Sequence, residues 1–308
     1  MRNSELTLTE FSERKTREAV SAAIAPLTTE IDRHPSDAVA IGNDWTRERF
    51  DGPFYASPAG DVEFPSTSLV FVQSKDGNTG AKNPASLGGG NADAHLIYEG
   101  LSRVAADAVL AGAETIRGGH LVFSVWHPEL VRLRASLGLP RHPTQIVATL
   151  RGLNFDGLIF NVHEIPVMLL TVGGCTDLMT TALAERPWIT PIVMPTSHDL
   201  PFAMRTIRKH GVRRVSCIGG RSIAGQLLDA GLVSDVYLTT SAKEGGEPGT
   251  PLYRKPIGGE LVVRKRGTRE DTGVVFEHLR PTQGTSYKSQ VSTLKSQDSL
   301  LRDTEGLV

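Results

Sequence analysis

The residues best suited to hold a ligand lie in RRVSCIGGRSIAGQLLDA, positions 213–230. Val215, Cys217 and Ile218 suit a buried strand, Gly219 and Gly220 break it, and Ile223, Leu227 and Leu228 recur at helical spacing after Ser222. A glycine pair at such a junction lets backbone approach a ligand with no Cβ in the way. The free N–H groups that open the next helix, backed by its dipole, can hold a phosphate. The same pattern serves equally well as a tight strand-to-helix turn with no ligand. Two other stretches offer matching chemistry. Positions 107–111, DAVLA, end in Gly112, Ala113, Glu114, Thr115, Ile116 and Arg117. Small residues, a hydroxyl and a guanidinium at a strand exit suit a dinucleotide, and an arginine that pairs a 2′-phosphate favours NADP over NAD. Positions 68–73, SLVFVQ, run into Ser74, Lys75, Asp76 and Gly77. That turn leaves the Asp76 carboxylate at a strand end, where open α/β sheets form ligand clefts. An ordinary Asp-Gly turn has the same sequence.

These groups need strands and helices in alternation to position them. Positions 7–25 interleave charge with Phe11, Val20 and Ile24 and predict an amphipathic helix. A loop-rich stretch with Trp45, Phe50, Phe54 and Tyr55 follows, so residues 1–65 read as an N-terminal extension packed on the domain or on a partner subunit. After the flexible NPASLGGG loop, Asn91 is expected to cap a helix through Ala94, Leu96, Ile97, Leu101 and Val104. Helices are predicted over 127–137, 177–184 and 202–210, and strands over 145–149, 165–171, 191–195 and 234–241. Positions 261–265 and 274–279 suit an antiparallel pair. The main domain spans 66–281. The polar tail 282–308, rich in Ser, Thr and Gln, is expected to be disordered. The pattern predicts a three-layer α/β/α domain with a mostly parallel central sheet and antiparallel edge strands.

Composition narrows the function. In 308 residues, 33 Lys and Arg balance 34 Asp and Glu for a net charge of −1, which offers no electrostatic footprint for nucleic acid or a membrane surface. The two cysteines, Cys175 and Cys217, sit in apolar settings and read as buried core thiols in a reducing, cytoplasmic protein. The N-terminus lacks the apolar core of a signal peptide, and no apolar run approaches the roughly 20 residues of a membrane span. His127-Pro128-Glu129 has the H-x-E spacing of zinc deaminases, but no P-C-x-x-C follows. No P-loop, G-x-S-x-G or H-E-x-x-H occurs, and the nine histidines lack ligand spacing, so no metal is expected.

Taken together the segments resemble the reductase domain of bacterial riboflavin biosynthesis, in the dihydrofolate reductase-like superfamily. Ser74-Lys75-Asp76-Gly77 is similar to that family's S-x-D-G after its first strand. Arg103 with the stretch DAVLAGAETIR, positions 107–117, resembles its LR…DAVLVGAGTVR. Gly219-Gly220 with LLDAGLV, positions 227–233, resembles its EGGPTL…LLxAGLVDEL. The similarity covers roughly residues 66–280. It implies a dihydrofolate reductase-like fold, NADPH as cofactor, hydride transfer to a pyrimidine ribosylamine, and pairing into a homodimer. A pteridine-like substrate, or a nucleotide-binding homologue without catalysis, remains open. By position, Gly112, Ala113, Thr115, Arg117, Gly219, Gly220, Arg221, Ser222, Ile223 and Ala224 would hold the cofactor. Asp76, Arg103 and Ile218 would face the substrate, with Asp76 orienting it or relaying a proton. Three departures stand out: Ile218 replaces a glutamate, Val70 a lysine, and Gly118-Gly119-His120-Leu121 an A-D-D-P run.

Overall fold

The computed structural model describes residues 7–116, 119, 121–267 and 273–282; all but the first residue of the expected disordered tail lie outside them. In chain order the strands are β1 (Leu27–Asp32), β2 (Val39–Ile41), β3 (Phe54–Ala56), β4 (Ser66–Gln73), β5 (Ala108–Gly112) and β6 (Thr144–Ala148). They continue as β7 (Val167–Val172), β8 (Ile189–Met194), β9 (Arg214–Cys217), β10 (Asp235–Thr240), β11 (Gly259–Gly267) and β12 (Val275–Pro281). Ten of them form one sheet in the order β1-β11-β12-β10-β4-β9-β5-β6-β7-β8, and β2 and β3 form a separate pair. From β10 to β8 every neighbour is parallel, while β12, β11 and β1 close one edge antiparallel. β10 is paired on both sides, so it offers no free edge to a second copy of the chain.

The parallel strands are apolar on both faces because helices cover both. In β5, Val109 and Ala111 pack into one core while Ala108 and Leu110 pack into the other. β7 divides in the same way, with Val167 and Leu169 opposite Met168 and Leu170. On the second face lie α7 (Leu200–Lys209) and α8 (Arg221–Asp229), which bury Leu200, Ala203, Met204 and Ile207, and Ala224 and Leu227. On the first lie α4 (Pro128–Ser136), two short helices α5 (Gly173–Asp177) and α6 (Thr180–Ala184), and a π-helical segment, Ala92–Leu101. The 177–184 helix of the sequence is thus two pieces, with Met179 the buried residue between them.

Asn91 does not cap the π-helical segment; its amide donates to the Ala23 carbonyl at 3.0 Å and ties the segment to the N-terminal arm. Within the segment the Glu99 carboxylate is buried. It accepts from the His127 N–H at 2.8 Å, from the Trp126 N–H, and meets His95 Nδ1 at 3.1 Å. These bonds offset the cost of burying a charge.

Before the sheet, α1 (Leu8–Ser21) starts with a capping box between Thr7 and Glu10. Its Phe11 and Ala19 pack with Val122, Trp126 and Ile165. α2 (Asp44–Phe50) and β1 seat on the β11 edge around one buried cation. Lys265 donates from Nζ to Thr29 Oγ1 at 2.7 Å and to the Asp51 carbonyl at 3.0 Å, and lies 4.3 Å from the Phe50 ring centre. No helix among the described residues is long and apolar enough to cross a membrane.

Candidate functional site

Because β4, β5, β6, β9 and β10 run parallel, their carboxyl ends open on one edge of the sheet. Gly112 ends β5, and the Ile218 N–H beyond β9 donates to the Leu110 carbonyl at 3.0 Å, which draws the two strand exits together. α3 (Ala113–Ile116) leaves one exit and α8 the other. A Cβ on Gly219 would come within 2.9 Å of Thr115 Oγ1, and one on Gly112 within 3.5 Å of Ile223 Cδ1 and 3.9 Å of the Gly219 carbonyl oxygen. Only glycine fits Gly219 without displacing Thr115. Gly220 has φ +87° and forms the N-cap of α8, with no side chain closing the helix end. Gly112, Ala113, Thr115, Gly219, Gly220 and Ile223 therefore meet at one place, with Arg221 and Ser222 exposed beside it and Ala224 buried behind.

This is an anion-binding arrangement: free N–H groups, a positive helix end and no side chain in the way. Arg117, the sequence candidate for a 2′-phosphate, lies outside the described residues.

One strand along, β4 passes β9 by several residues and ends in the Asp76 turn. Both oxygens of the Asp76 carboxylate are engaged: the Asn78 amide donates to Oδ2 at 2.7 Å and the Gly245 N–H to Oδ1 at 3.1 Å. The Ser74 hydroxyl first, then the Gly245 N–H, hold the exposed Asp76 carboxyl below the usual carboxylate range. Ser74 Oγ donates to the Gly245 carbonyl at 2.8 Å, and Asn78 Oδ1 accepts from the Thr250 N–H at 3.2 Å. These bonds knit the turn to the 244–251 loop beyond β10. Asn78 and Gly245 were not among the sequence candidates, because the bonds from Ser74 and Asp76 to Gly245 and from Thr250 to Asn78 join residues about 170 positions apart.

Ile218 is buried beside the glycine pair and belongs to the same core as Val70 and Ala111. Arg103 is not brought to this edge. Its guanidinium is 3.9 Å from the Tyr98 ring centre and donates to the Ser124 carbonyl at 3.2 Å. Ser124 follows Phe123, which Gln145 holds at the start of β6. Arg103 thus sits at the amino ends of the strands, opposite the glycine cluster, and is 3% exposed. Cys217 is fully buried, and burial pushes its thiol up to about 12, as expected of an inert core group. His127 of the H-x-E spacing is the N-cap of α4, accepting at Nδ1 from the Glu129 N–H, and its ring stacks on Trp45.

Residues 65–274 match the family described as the RibD C-terminal domain. Among solved structures the chain is similar to a pyrimidine reductase-like protein of Corynebacterium diphtheriae, with TM-score 0.59 and 22% identity over 71% of this chain and 93% of that one. It is also similar to Acinetobacter baumannii RibD, with TM-score 0.57 and 16% identity over 71% of this chain and 58% of that one. The riboflavin biosynthesis reductase Rib7 of Saccharomyces cerevisiae matches with TM-score 0.51 and 16% identity, over 73% of this chain and 93% of that one. No curated protein matches the chain. At these identities the structural likenesses establish a shared fold, and that fold is dihydrofolate reductase-like.

Proposed function

The chain belongs to the RibD C-terminal domain family, the reductase family of riboflavin biosynthesis, and we propose that it transfers a hydride from NADPH to a pyrimidine ribosylamine, as a 5-amino-6-(5-phosphoribosylamino)uracil reductase does. The observation that carries the reading is the meeting of Gly112, Thr115, Gly219 and Gly220 at the uncapped start of α8. Gly219, Gly220 and the opening N–H groups of Arg221, Ser222 and Ile223 would hold the pyrophosphate, with Gly112, Ala113 and Thr115 beside it. The bound cofactor supplies the hydride. The chain's own contribution is to bind, align and keep water out.

Asp76 is the group that orients the substrate. Its carboxyl is held below the ordinary range, so at neutral pH it is ionised and accepts hydrogen bonds. A proton relay through it would need the opposite shift. Ile218 stands where the family often has a glutamate, and an apolar side chain cannot pair with a pyrimidine N–H. A second reading on the same fold is a folate- or pteridine-like substrate.

Fluorescence titration of the full chain with NADPH and with NADH tests the cofactor half. Saturable binding with preference for NADPH supports it, and binding of neither nucleotide overturns it. Turnover of a ribosylaminopyrimidine against dihydrofolate then separates the two substrates. NADPH binding without oxidation by either leaves a nucleotide-binding homologue.

A further inference from the structure

Asp76 stands exposed on the turn after β4, while Asn78, two residues on, is 7% exposed. Resting on the reductase reading, we propose that Asn78 is the positioning residue of the substrate side. It fixes the Asp76 carboxylate and the 244–251 loop as one unit against which a substrate is aligned.

The exits of β4 and β10 leave side by side, because Gln73 lies opposite Thr240. The Lys75 N–H donates to the Lys243 carbonyl at 2.7 Å, and the Thr79 N–H to the Thr250 carbonyl at 2.8 Å. Asn78 lies between these two ties in the chain. Its amide donates to Asp76 Oδ2 at 2.7 Å and to the Gly245 carbonyl at 3.1 Å, while its Oδ1 accepts from the Thr250 N–H at 3.2 Å. Turning the amide over would set its oxygen against the carboxylate, so one orientation alone satisfies all three partners. With both donors spent and the side chain buried, Asn78 acts through Asp76 and not on the substrate itself.

Asp76 is the opposite case. An aspartate on an exposed turn samples several rotamers. Two donors, the Asn78 amide and the Gly245 N–H, hold this one in place. An ionised carboxylate with two of its roughly four acceptor sites filled keeps the others for donors on a substrate. Fixing it in advance spares the reaction the cost of ordering it. The other charged side chains on the two segments are Lys75, Lys243, Glu244 and Glu247. All four are exposed to water, and Lys75 Nζ lies 4.0 Å from Glu244 Oε1.

The experiment measures turnover of a ribosylaminopyrimidine and affinity for NADPH in the wild-type chain, Asn78→Ala and Asn78→Asp, from about pH 5 to about pH 8. Asn78→Ala also strips the acceptor from the Thr250 N–H, so its loss alone does not separate folding from positioning. Asn78→Asp keeps the shape and that acceptor. Its new carboxyl faces Asp76, and two such groups sharing one proton raise the second ionisation of the pair above the ordinary carboxylate range. While the shared proton is present the new carboxyl donates to Asp76 as the amide does. Once it leaves, the two charges repel and Asp76 loses its place. The variant should therefore keep kcat/KM near wild type at about pH 5 and lose about 10- to 100-fold by about pH 8. Its NADPH affinity should stay within about twofold throughout, and the wild-type profile should be flat. A flat profile for Asn78→Asp, or a parallel loss of NADPH affinity, would overturn the assignment while leaving the reductase reading intact. Carbon-13 NMR of the aspartate carboxyls reads the pair without activity. A raised titration in Asn78→Asp that wild type lacks supports the assignment, and ordinary titration overturns it. A wild-type chain that neither binds NADPH nor turns over the substrate overturns the reductase reading, and the NMR titration then still decides whether Asn78 holds Asp76.

Discussion

At the scale of single residues the site is made by what is missing as much as by what is present. Gly219 leaves 2.9 Å between a would-be Cβ and Thr115 Oγ1, so any side chain there must displace the Thr115 hydroxyl. Gly219→Val should therefore weaken NADPH binding by about 10- to 100-fold through lost backbone donors. A titration that returned wild-type affinity would move the pyrophosphate elsewhere. Asp76 is a different case. Asp76→Asn keeps the size but removes a charge that Gly245 and Asn78 hold in place. Turnover should fall about tenfold or more, with NADPH affinity within about twofold, as read by steady-state rates beside a titration. Because hydrogen bonds from Ser74 and Gly245 hold the Asp76 carboxyl below the usual carboxylate range, it is ionised at neutral and mildly acidic pH. The rate profile should accordingly show no limb from it between about pH 5 and 8. An acid limb in that range, abolished in Asp76→Asn, would assign it a proton-transfer role after all.

At the scale of elements, the β11 edge shows which of two opposed effects wins. Lys265 is 1% exposed, and burial pushes its amine down to about 8 although Asp32 and Asp51 pull it up. Desolvation outweighs the two carboxylates, because neither makes a direct contact; the hydrogen bonds run to Thr29 Oγ1 and the Asp51 carbonyl. In an unfolded chain a lysine titrates near 10.4. Between about pH 8 and 10.4 the unfolded chain holds the extra proton, so stability should rise with pH in that window. Below about 8 both forms are protonated and this contribution is flat. Urea midpoints at pH 7.5 and 9.5 check the sign: the wild-type chain should gain relative to Lys265→Met across that interval. A parallel response in the two proteins would mean that Lys265 is not desolvated.

For the whole molecule, the question is where the folding unit begins. The family match starts at residue 65, yet β1 pairs along β11 from Leu27↔Gly267 to Asp32↔Val263, and Phe50 meets Phe276 edge to face at 5.6 Å. We propose that residues 66–281 carry the chemistry and that residues 7–65 are needed to finish the sheet. Removing them would expose β11 as an open edge and leave Lys265 without Thr29 or Asp51, a combination that promotes strand pairing between molecules. A 66–281 fragment should unfold at lower urea than a 7–281 fragment and should elute as larger species. Equal midpoints and equal elution would make the arm an accessory.

Local sequence determined the strands from β4 to β12, their order of appearance, the glycine pair and the Asp76 turn, while β1, β2 and β3 lie in a stretch expected to be loop. It could do so because apolar runs, helical spacing and glycine are properties of neighbours in the chain. The sequence also placed Gly112, Thr115 and Gly219 in one group through family resemblance, and the parallel register shows why: β5 and β9 are adjacent, so their exits must meet. Other features were decided only by tertiary structure. Arg103 falls at the amino ends of the strands because its buried guanidinium finds Tyr98 and the Ser124 carbonyl there. Asn91 gives up its cap for the Ala23 carbonyl. β1 joins an edge more than 230 residues away, at a position set by Lys265 and its partners. Each of these depends on which polar groups burial leaves in need of a partner, and that need exists only once the layers have closed.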